Sequence, residues 1–221
     1  MKLLQVINSL GAGGAEKLVT EMSKGFSSQG LKVTVLLLDA TKSSLYHKLK
    51  EHADINILQL GKGGSIYSPL QVFKIRQIIK EFDIIHVHLF PCSYWVALAK
   101  WISFKKPKIL FTEHNTNNRR REKPLFKYID RWVYKQYHCI VSISDAVDTS
   151  LKSYLGNSFD NIIKVYNGIH LETFTNAEPY LKTDLGFKKN DVLLVQVSSF
   201  TPQKDQKTAI KALKTLPEEV H

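Results

Sequence analysis

The sequence contains little cysteine and no long apolar run. Cys92 and Cys139 are its only cysteines in 221 residues, which leaves no zinc framework and argues against a secreted disulfide scaffold. No apolar stretch approaches the roughly 20 residues that cross a bilayer as a helix. The opening segment, MKLLQVINSL, is interrupted by Gln5 and Asn8 and favours a buried strand over a signal peptide. These absences predict a reduced, cytoplasmic protein.

Acidic residues are scarce relative to basic ones. The chain has 31 Lys and Arg against 20 Asp and Glu, a formal net charge of +11. Such a balance predicts an anionic partner, either a nucleic acid, a membrane surface or a phosphorylated small molecule. No nucleic-acid-binding motif is present, so we expect no nucleic-acid partner. The sequence also lacks an Asp-x-Asp motif and a convincing set of metal ligands. We therefore expect no bound metal.

The strongest basic cluster lies within residues 118–135. Its cations recur every four residues and its apolar side chains form an opposite stripe: Lys123, Lys127, Arg131 and Lys135 against Phe126, Ile129 and Val133. This spacing predicts an amphipathic helix over 123–135. Two interpretations remain open. The helix either lies on an anionic membrane surface or presents a solvated basic face above a stripe that packs on the core.

Short apolar runs alternate with helix-like stretches along the chain. Several of the runs are continuously apolar, as strands covered on both faces should be. They lie at residues 2–7, 32–38, 55–59, 84–88, 108–112, 139–143, 162–166 and 192–197. The alternation predicts an α/β fold with a doubly wound parallel sheet.

A polar stretch near residues 175–190 interrupts this pattern. It contains a proline and a glycine, and one further strand and helix follow before His221. One strand and one helix cannot enclose a core of their own. We therefore predict a first domain over 1–175, a linker over 176–190, and the first strand–helix unit of a second domain over 191–221.

A glycine cluster directly follows the first predicted strand. Gly11, Gly13 and Gly14 lack side chains, so backbone N–H groups at the start of the next helix can approach an anion. The pattern resembles the dinucleotide fingerprint G-x-G-x-x-G, but Glu16 replaces its last glycine. Asp39, at the end of the second predicted strand, imitates the ribose-binding acid of that fingerprint. A dinucleotide-binding oxidoreductase therefore remains an alternative.

Polar side chains also mark the ends of two later strands. His86 and His88 are two residues apart on the fourth predicted strand, so their side chains point to the same face of the sheet. Of the two, His88 is the candidate that faces the ligand cleft. The segment TEHNTNNRRR, residues 112–121, follows the fifth strand. Its carboxylate, amides and guanidinium groups suit a ligand rich in hydroxyls and phosphates. The candidate binding residues there are Glu113, Asn115, Asn117, Arg119 and Arg120.

Taken together, several segments carry a family resemblance. In order along nearly the whole chain they are GAGGAEKLV, DIIHVHLF, TEHNTNNRRR, CIVSISDAV, KVYNGIHLETF and VSSFTPQKDQKTAIKAL. With them the chain resembles the N-terminal part of a family-4 glycosyltransferase of the GT-B type, an architecture of two Rossmann-like domains that face a cleft.

The resemblance implies transfer of a sugar, of the hexosyl type, from a nucleotide-diphosphate donor with retention of anomeric configuration. The first domain would mainly hold the acceptor, with His88, Glu113, Asn115, Asn117, Arg119 and Arg120 as its candidate contacts. His114 matches the family's histidine near the transferred sugar, and Lys204 its basic residue on the diphosphate. Gly13 and Gly14 would contact the diphosphate or the sugar. No cofactor beyond the nucleotide sugar is implied.

We expect a glycan or lipid-linked sugar as acceptor, a role in cell-surface polysaccharide biosynthesis, and a cytoplasmic or peripheral membrane location through the 123–135 helix.

Two departures from the family pattern qualify this expectation. Ser199 stands where the family usually has an arginine, so one diphosphate cation is missing. The late E-x7-E pair that engages the donor sugar and ribose is also absent, so we expect these 221 residues to lack a complete donor site and to be inactive alone. A non-catalytic binding module remains a further alternative.

Overall fold

The chain folds into two compact units, Met1–Gly168 and Ile169–His221. The computed structural model describes residues 1–61, 66–104, 107–116, 118–156, 159–169, 171–201 and 204–221. The predicted end of the first domain, at residue 175, falls inside the second unit. Each unit is described separately below.

The first unit is built on a seven-stranded, fully parallel sheet in the order β3-β2-β1-β4-β5-β6-β7. This confirms the predicted doubly wound α/β fold. The strands are β1 (Lys2–Ile7), β2 (Lys32–Leu37), β3 (Ile55–Gln59), β4 (Ile84–His88), β5 (Lys108–Glu113), β6 (Cys139–Ser142) and β7 (Ile162–Lys164).

Helices connect the strands and flank the sheet. In the first unit they are α1 (Gly14–Ser28), α2 (Ser44–Lys50), α3 (Gln71–Ile79), α4 (Cys92–Trp101), α5 (Pro124–Lys135) and α6 (Asp145–Leu155), with a 3-10 turn at Arg119–Glu122. The second unit contains α7 (Glu172–Thr175), a 3-10 turn at Lys182–Leu185 and α8 (Gln206–Leu213). Throughout the described residues, every helix falls short of the length and apolar character needed to cross a membrane.

The apolar strands separate two hydrophobic clusters, one on each face of the sheet. Leu4 and Val87 belong to the cluster beneath α3–α6, while Ile7 and Val35 belong to the cluster beneath α1 and α2. All four side chains are fully buried, and burying each contributes about 1.5–3 kcal/mol to folding. Because both faces are covered in this way, apolar residues on both sides of the central strands are buried.

The strand order reverses at β1, which pairs with β2 on one side and β4 on the other. In open parallel sheets such a switch point leaves a crevice outside the carboxyl ends of the strands. The register places Gln5 of β1 beside His86 of β4, and His88 of β4 beside Thr112 of β5. A row of polar side chains therefore crosses the sheet at its switch point.

The predicted strand at 192–197 is not formed. Val192 makes a single bridge to Val220, and Val195 and Val197 are 82% and 92% exposed. A strand needs a neighbour for its ladder of hydrogen bonds, and the described residues of the second unit provide that pairing only at Val192.

The predicted apolar stripe of α5 is also partly wrong. Ile129 is 37% exposed, whereas the charged Asp130 is fully buried. Phe126, Asp130 and Tyr134 follow the four-residue spacing of one helical face, so Asp130 rather than Ile129 turns inward. The buried carboxylate is tolerated because Arg120 pairs with it.

Candidate active site

The glycine turn forms the start of α1, but a carboxylate lies against it. Gly13 is the N-cap, with extended backbone at φ −120 and ψ 164. A Cβ placed on Gly13 would lie 2.1 Å from Oε2 of Glu16, so the Glu16 side chain folds back over the first turn of the helix. A carboxylate is favourable there because the N-terminal end of a helix carries partial positive charge.

This placement explains why glutamate stands where the dinucleotide fingerprint has glycine. The Glu16 carboxylate also affects the predicted diphosphate contact at Gly13 and Gly14, because a diphosphate bound there would lie next to this negatively charged side chain. Gly14 itself faces open space.

A cavity of about 410 Å³ opens at the carboxyl edge of the sheet. Every residue that lines it follows a strand or begins α1: Gly14, Ala15, Glu16, Leu89, His114, Asn115, Ile143 and Asn167. The structure thus brings together three predicted site residues, Gly14, His114 and Asn115. Sequence reasoning missed Leu89 and Asn167, although each directly follows a predicted strand, and that position was the available signal.

Leu89 is held in a strained conformation beside this cavity. Its φ of 62 lies in the left-handed region, where a non-glycine residue costs roughly 1–2 kcal/mol. Strain of this kind is tolerated where surrounding structure fixes the backbone, and it clusters at functional sites. The turn after β4 is therefore fixed at the rim of the cavity.

His114 is the imidazole that reaches the cavity, and His88 lies behind it. His88 Nδ1 is 3.1 Å from His114 Nε2, and His88 Nε2 is 2.8 Å from Gln5 Oε1. His88 is fully buried. The expectation that His88 faces the cleft and binds the acceptor is therefore corrected, since both of its nitrogens are engaged inside the protein.

A third imidazole, His86, lies beside them. Its ring centroid is 4.2 Å from that of His88, as the shared face predicts, and its Nε2 is 2.7 Å from Thr112 Oγ1. Among the described residues, no group of three histidine, cysteine or acidic side chains could hold a metal ion.

All three imidazoles are neutral near pH 7. Burial lowers the pKa of His114 to about 4. Burial, followed by repulsion from His114, lowers the pKa of His86 to about 4. The pKa of His88 is held well below its ordinary value by burial, with smaller contributions from His86 and His114. The site therefore offers neutral hydrogen-bonding groups rather than cations.

Glu113 supports the loop that carries His114. Its Oε2 lies 2.5 Å from Arg121 Nη2 and accepts a 2.7 Å hydrogen bond from the Tyr134 hydroxyl, while its Oε1 accepts from the backbone N–H of Asn115 at 3.2 Å. Glu113 is only 5% exposed. Its predicted role as an acceptor ligand is corrected to an internal partner that holds this loop on α5.

Arg120 is likewise internal. Its Nε lies 3.3 Å from both carboxylate oxygens of Asp130, and its guanidinium lies over the Phe90 ring at 4.6 Å. The hydroxyls of Tyr94 and Tyr154 also donate to Asp130. With Arg120 only 9% exposed, its predicted contact with an acceptor is replaced by a buried ion pair that fixes the 3-10 turn against α5.

For three further predicted residues the structure gives less information. Asn117 lies outside the described residues. Arg119 begins the 3-10 turn, but its side chain lies outside the described part of the structure. Lys204 belongs to the second unit and is exposed, and its carbonyl accepts a 3.0 Å hydrogen bond from Gln196 Nε2.

The sequence profile of Glycosyltransferase Family 4 matches residues 12–173. The chain belongs to this family. The matched span runs from the glycine turn to the start of the second unit, so it contains every residue that lines the cavity. The resemblance carried by the short motifs is thereby confirmed.

Solved structures agree with this family assignment at the level of the fold. HepE of Anabaena, determined in complex with UDP and glucose, has a TM-score of 0.80 at 20% identity. A glycosyltransferase from Rickettsia africae scores 0.73 at 21% identity, and covers 97% of this chain and 57% of its own. Sucrose-phosphate synthase from Thermosynechococcus elongatus scores 0.72 at 12% identity, with 98% and 60% covered.

This chain spans only part of the length of these structural relatives. The match to HepE covers 100% of this chain and 59% of HepE. Comparison with curated protein sequences finds no match.

Proposed function

We propose that this protein transfers a sugar, of the hexosyl type, from a nucleotide-diphosphate donor to an acceptor, with retention of anomeric configuration. The observation that carries the proposal is the switch-point cavity, where Gly14, His114 and Asn115 of the family motifs meet. HepE, the relative of matching fold, was determined with UDP-glucose and with UDP. Those ligands make UDP-glucose the first donor to test.

The chemistry of such a transfer suits the residues of the first unit. Loss of the diphosphate develops negative charge on the leaving group and positive character on the sugar. A neutral His114 can bond a sugar hydroxyl without competing for the diphosphate, and the nearby Glu16 carboxylate can accept from another hydroxyl. Lys204 of the second unit is the cation that we assign to the diphosphate. Ser199 cannot supply a second one.

A dinucleotide-binding role is not favoured. In that fold the pyrophosphate sits on the N-terminus of the first helix. Here the Glu16 carboxylate lies over Gly13 at the same place, and it would repel a pyrophosphate there.

The proposal is tested by transfer from UDP-glucose, with glycan and lipid-linked acceptors, by the protein expressed from its complete reading frame. We expect UDP to be released only when an acceptor is present. If UDP-glucose and a panel of other nucleotide sugars gave no transfer, the proposal would be overturned.

We further propose that the acceptor is a glycan or lipid-linked sugar of a cell-surface polysaccharide, reached at an anionic membrane on its cytoplasmic face. The supporting feature is the start of α5. This helix follows β5 and the 3-10 turn in the sequence, and β5 ends at the sheet edge where the cavity opens. Leu125 and Tyr128 are 68% and 73% exposed there, beside exposed Lys127. Apolar and basic side chains together favour an anionic lipid surface.

Changing Lys123, Lys127 and Lys135 to glutamine should therefore weaken sedimentation with anionic liposomes, because each lysine near such a surface contributes about 1 kcal/mol. The matched control changes Lys207, Lys211 and Lys214, around exposed α8, to glutamine. Equal losses for both triple variants would mean that net charge alone drives binding, and the proposed role of α5 would be abandoned.

A further inference from the structure

Side chains from three neighbouring chain segments form one continuous hydrogen-bonded chain, which we call the Gln5–His88–His114 chain. It starts on β1, passes through β4 and ends in the loop after β5. Gln5 Oε1 lies 2.8 Å from His88 Nε2, and His88 Nδ1 lies 3.1 Å from His114 Nε2. Gln5 and His88 are fully buried, at 0% exposure, so water does not compete for these bonds.

The first bond of this chain determines where each proton lies. The Gln5 carbonyl oxygen can only accept, so His88 Nε2 carries a hydrogen and donates it. Burial holds the pKa of His88 far below neutrality, so the ring has one hydrogen and its Nδ1 has a lone pair. His114 Nε2 must then be the donor in the second bond. Because burial lowers the pKa of His114 to about 4, the lone pair of its neutral ring is left on Nδ1.

The opposite proton arrangement would need the Gln5 amide group to donate instead. His88 and His114 would then both carry their hydrogen on Nδ1. In water the neutral imidazole side chain prefers the hydrogen on Nε2, and a hydrogen bond to the other nitrogen selects between the two forms. The arrangement in which His88 Nε2 donates to Gln5 keeps both rings in the preferred form, whereas the reverse arrangement places both in the less stable one.

We infer that Gln5 and His88 are positioning residues that hold His114 in its Nε2–H tautomer, so that His114 Nδ1 presents a lone pair to a ligand hydroxyl. Among the described residues no side chain or backbone group bonds this Nδ1, and His114 lines the cavity. The tautomer follows from the protein alone, while the hydroxyl as its partner rests on the proposed function.

The inference assigns a ligand class to the cavity. His114 Nδ1 and the Glu16 carboxylate are both hydrogen-bond acceptors, and the carboxylate also repels anions. These two acceptors suit the hydroxyls of a sugar, which are hydrogen-bond donors.

Histidine ring nitrogens distinguish the two tautomers directly by NMR. In free protein labelled with 15N-histidine, we expect the His88 and His114 rings each to show a protonated Nε2 and an unprotonated Nδ1 at pH 7. A His114 ring with a protonated Nδ1, or an even mixture of both forms, would overturn the inference. The sample contains no nucleotide sugar and no sugar acceptor, so the result does not depend on whether the protein transfers sugars.

A pair of variants tests the role of Gln5. Gln5→Met removes the acceptor while keeping the side-chain length, and we expect loss of the single tautomer at His114. Thr112→Val is the matched control, because it removes the partner of His86 but leaves the Gln5–His88–His114 chain untouched. A single unchanged tautomer in folded Gln5→Met would refute the positioning role. If that variant fails to fold, the wild-type spectrum still decides the inference.

Discussion

Replacing Arg121 with methionine is expected to destabilise the first unit by about 3–5 kcal/mol. The side chains of Arg121 and Glu113 are each 6% exposed and 2.5 Å apart. Methionine fills much of the same volume but leaves the Glu113 carboxylate buried without its cation. The Tyr134 hydroxyl and the N–H of Asn115 would still donate hydrogen bonds to that carboxylate, but its direct ion pair would be lost. Removing one member of a buried ion pair leaves the other charge buried without its partner. The loss of folding free energy is then far larger than the net contribution of the intact pair compared with apolar residues in the same place.

Urea unfolding followed by tryptophan fluorescence measures this effect. All three tryptophans, Trp95, Trp101 and Trp132, lie in the first unit, so the signal reports on that unit. Lys152→Met is the matched control, since Lys152 is 55% exposed in its ion pair with Asp148 and such pairs contribute about 0–1 kcal/mol. Similar losses for both variants would show that the Glu113–Arg121 pair is not a buried one.

Acidification from pH 6.5 to pH 5 is expected to lower the stability of the first unit, and His86 and His114 together account for about 3 kcal/mol of this loss. Burial lowers the pKa of both His86 and His114 from 6.5 to about 4. Between these values the unfolded chain binds a proton at each ring and the folded protein does not. Stability is therefore fully present above pH 6.5 and falls as the pH drops, by at most about 1.4 kcal/mol per pH unit for each histidine.

The pH dependence of urea unfolding checks this expectation. Changing both His86 and His114 to glutamine should reduce the slope between pH 6.5 and 5, because glutamine does not titrate, and the buried His88 accounts for the slope that remains. The exposed His52 provides the control, and His52→Gln should leave the slope unchanged. A wild-type profile that is already flat in this window would show that the two rings are protonated in the folded protein.

The fold could be predicted because its physical causes are local. Apolar runs such as that of β2 are typical of strands covered on both faces, and the glycine turn shows where the first helix begins. The strand at 192–197 was predicted by the same signal and is absent. Apolar periodicity shows that a segment can form a strand, but the hydrogen bonds of a strand depend on a neighbouring chain segment.

The candidate site could be located from the sequence, but its interior partners could not. Polar residues at the ends of β4 and β5 pointed to the edge of the sheet where the cavity opens. Whether Glu113 and Arg120 face a ligand or pair with residues inside the protein depends on how α5 packs against the 3-10 turn. Their partners, Tyr134 and Asp130, are distant in sequence, and a pattern of charges alone does not distinguish a buried ion pair from a solvated one.

If the switch-point cavity holds the sugar during transfer, the acceptor-dependent release of UDP from UDP-glucose should depend on His114. The comparison uses wild-type protein, His114→Ala, and His52→Ala as a control on an exposed histidine, all expressed from the complete reading frame. We expect transfer by wild type and His52→Ala, and a loss of about 100-fold in His114→Ala, typical of removing one preorganised active-site hydrogen bond. Transfer at the wild-type rate by His114→Ala would show that the cavity does not hold the sugar.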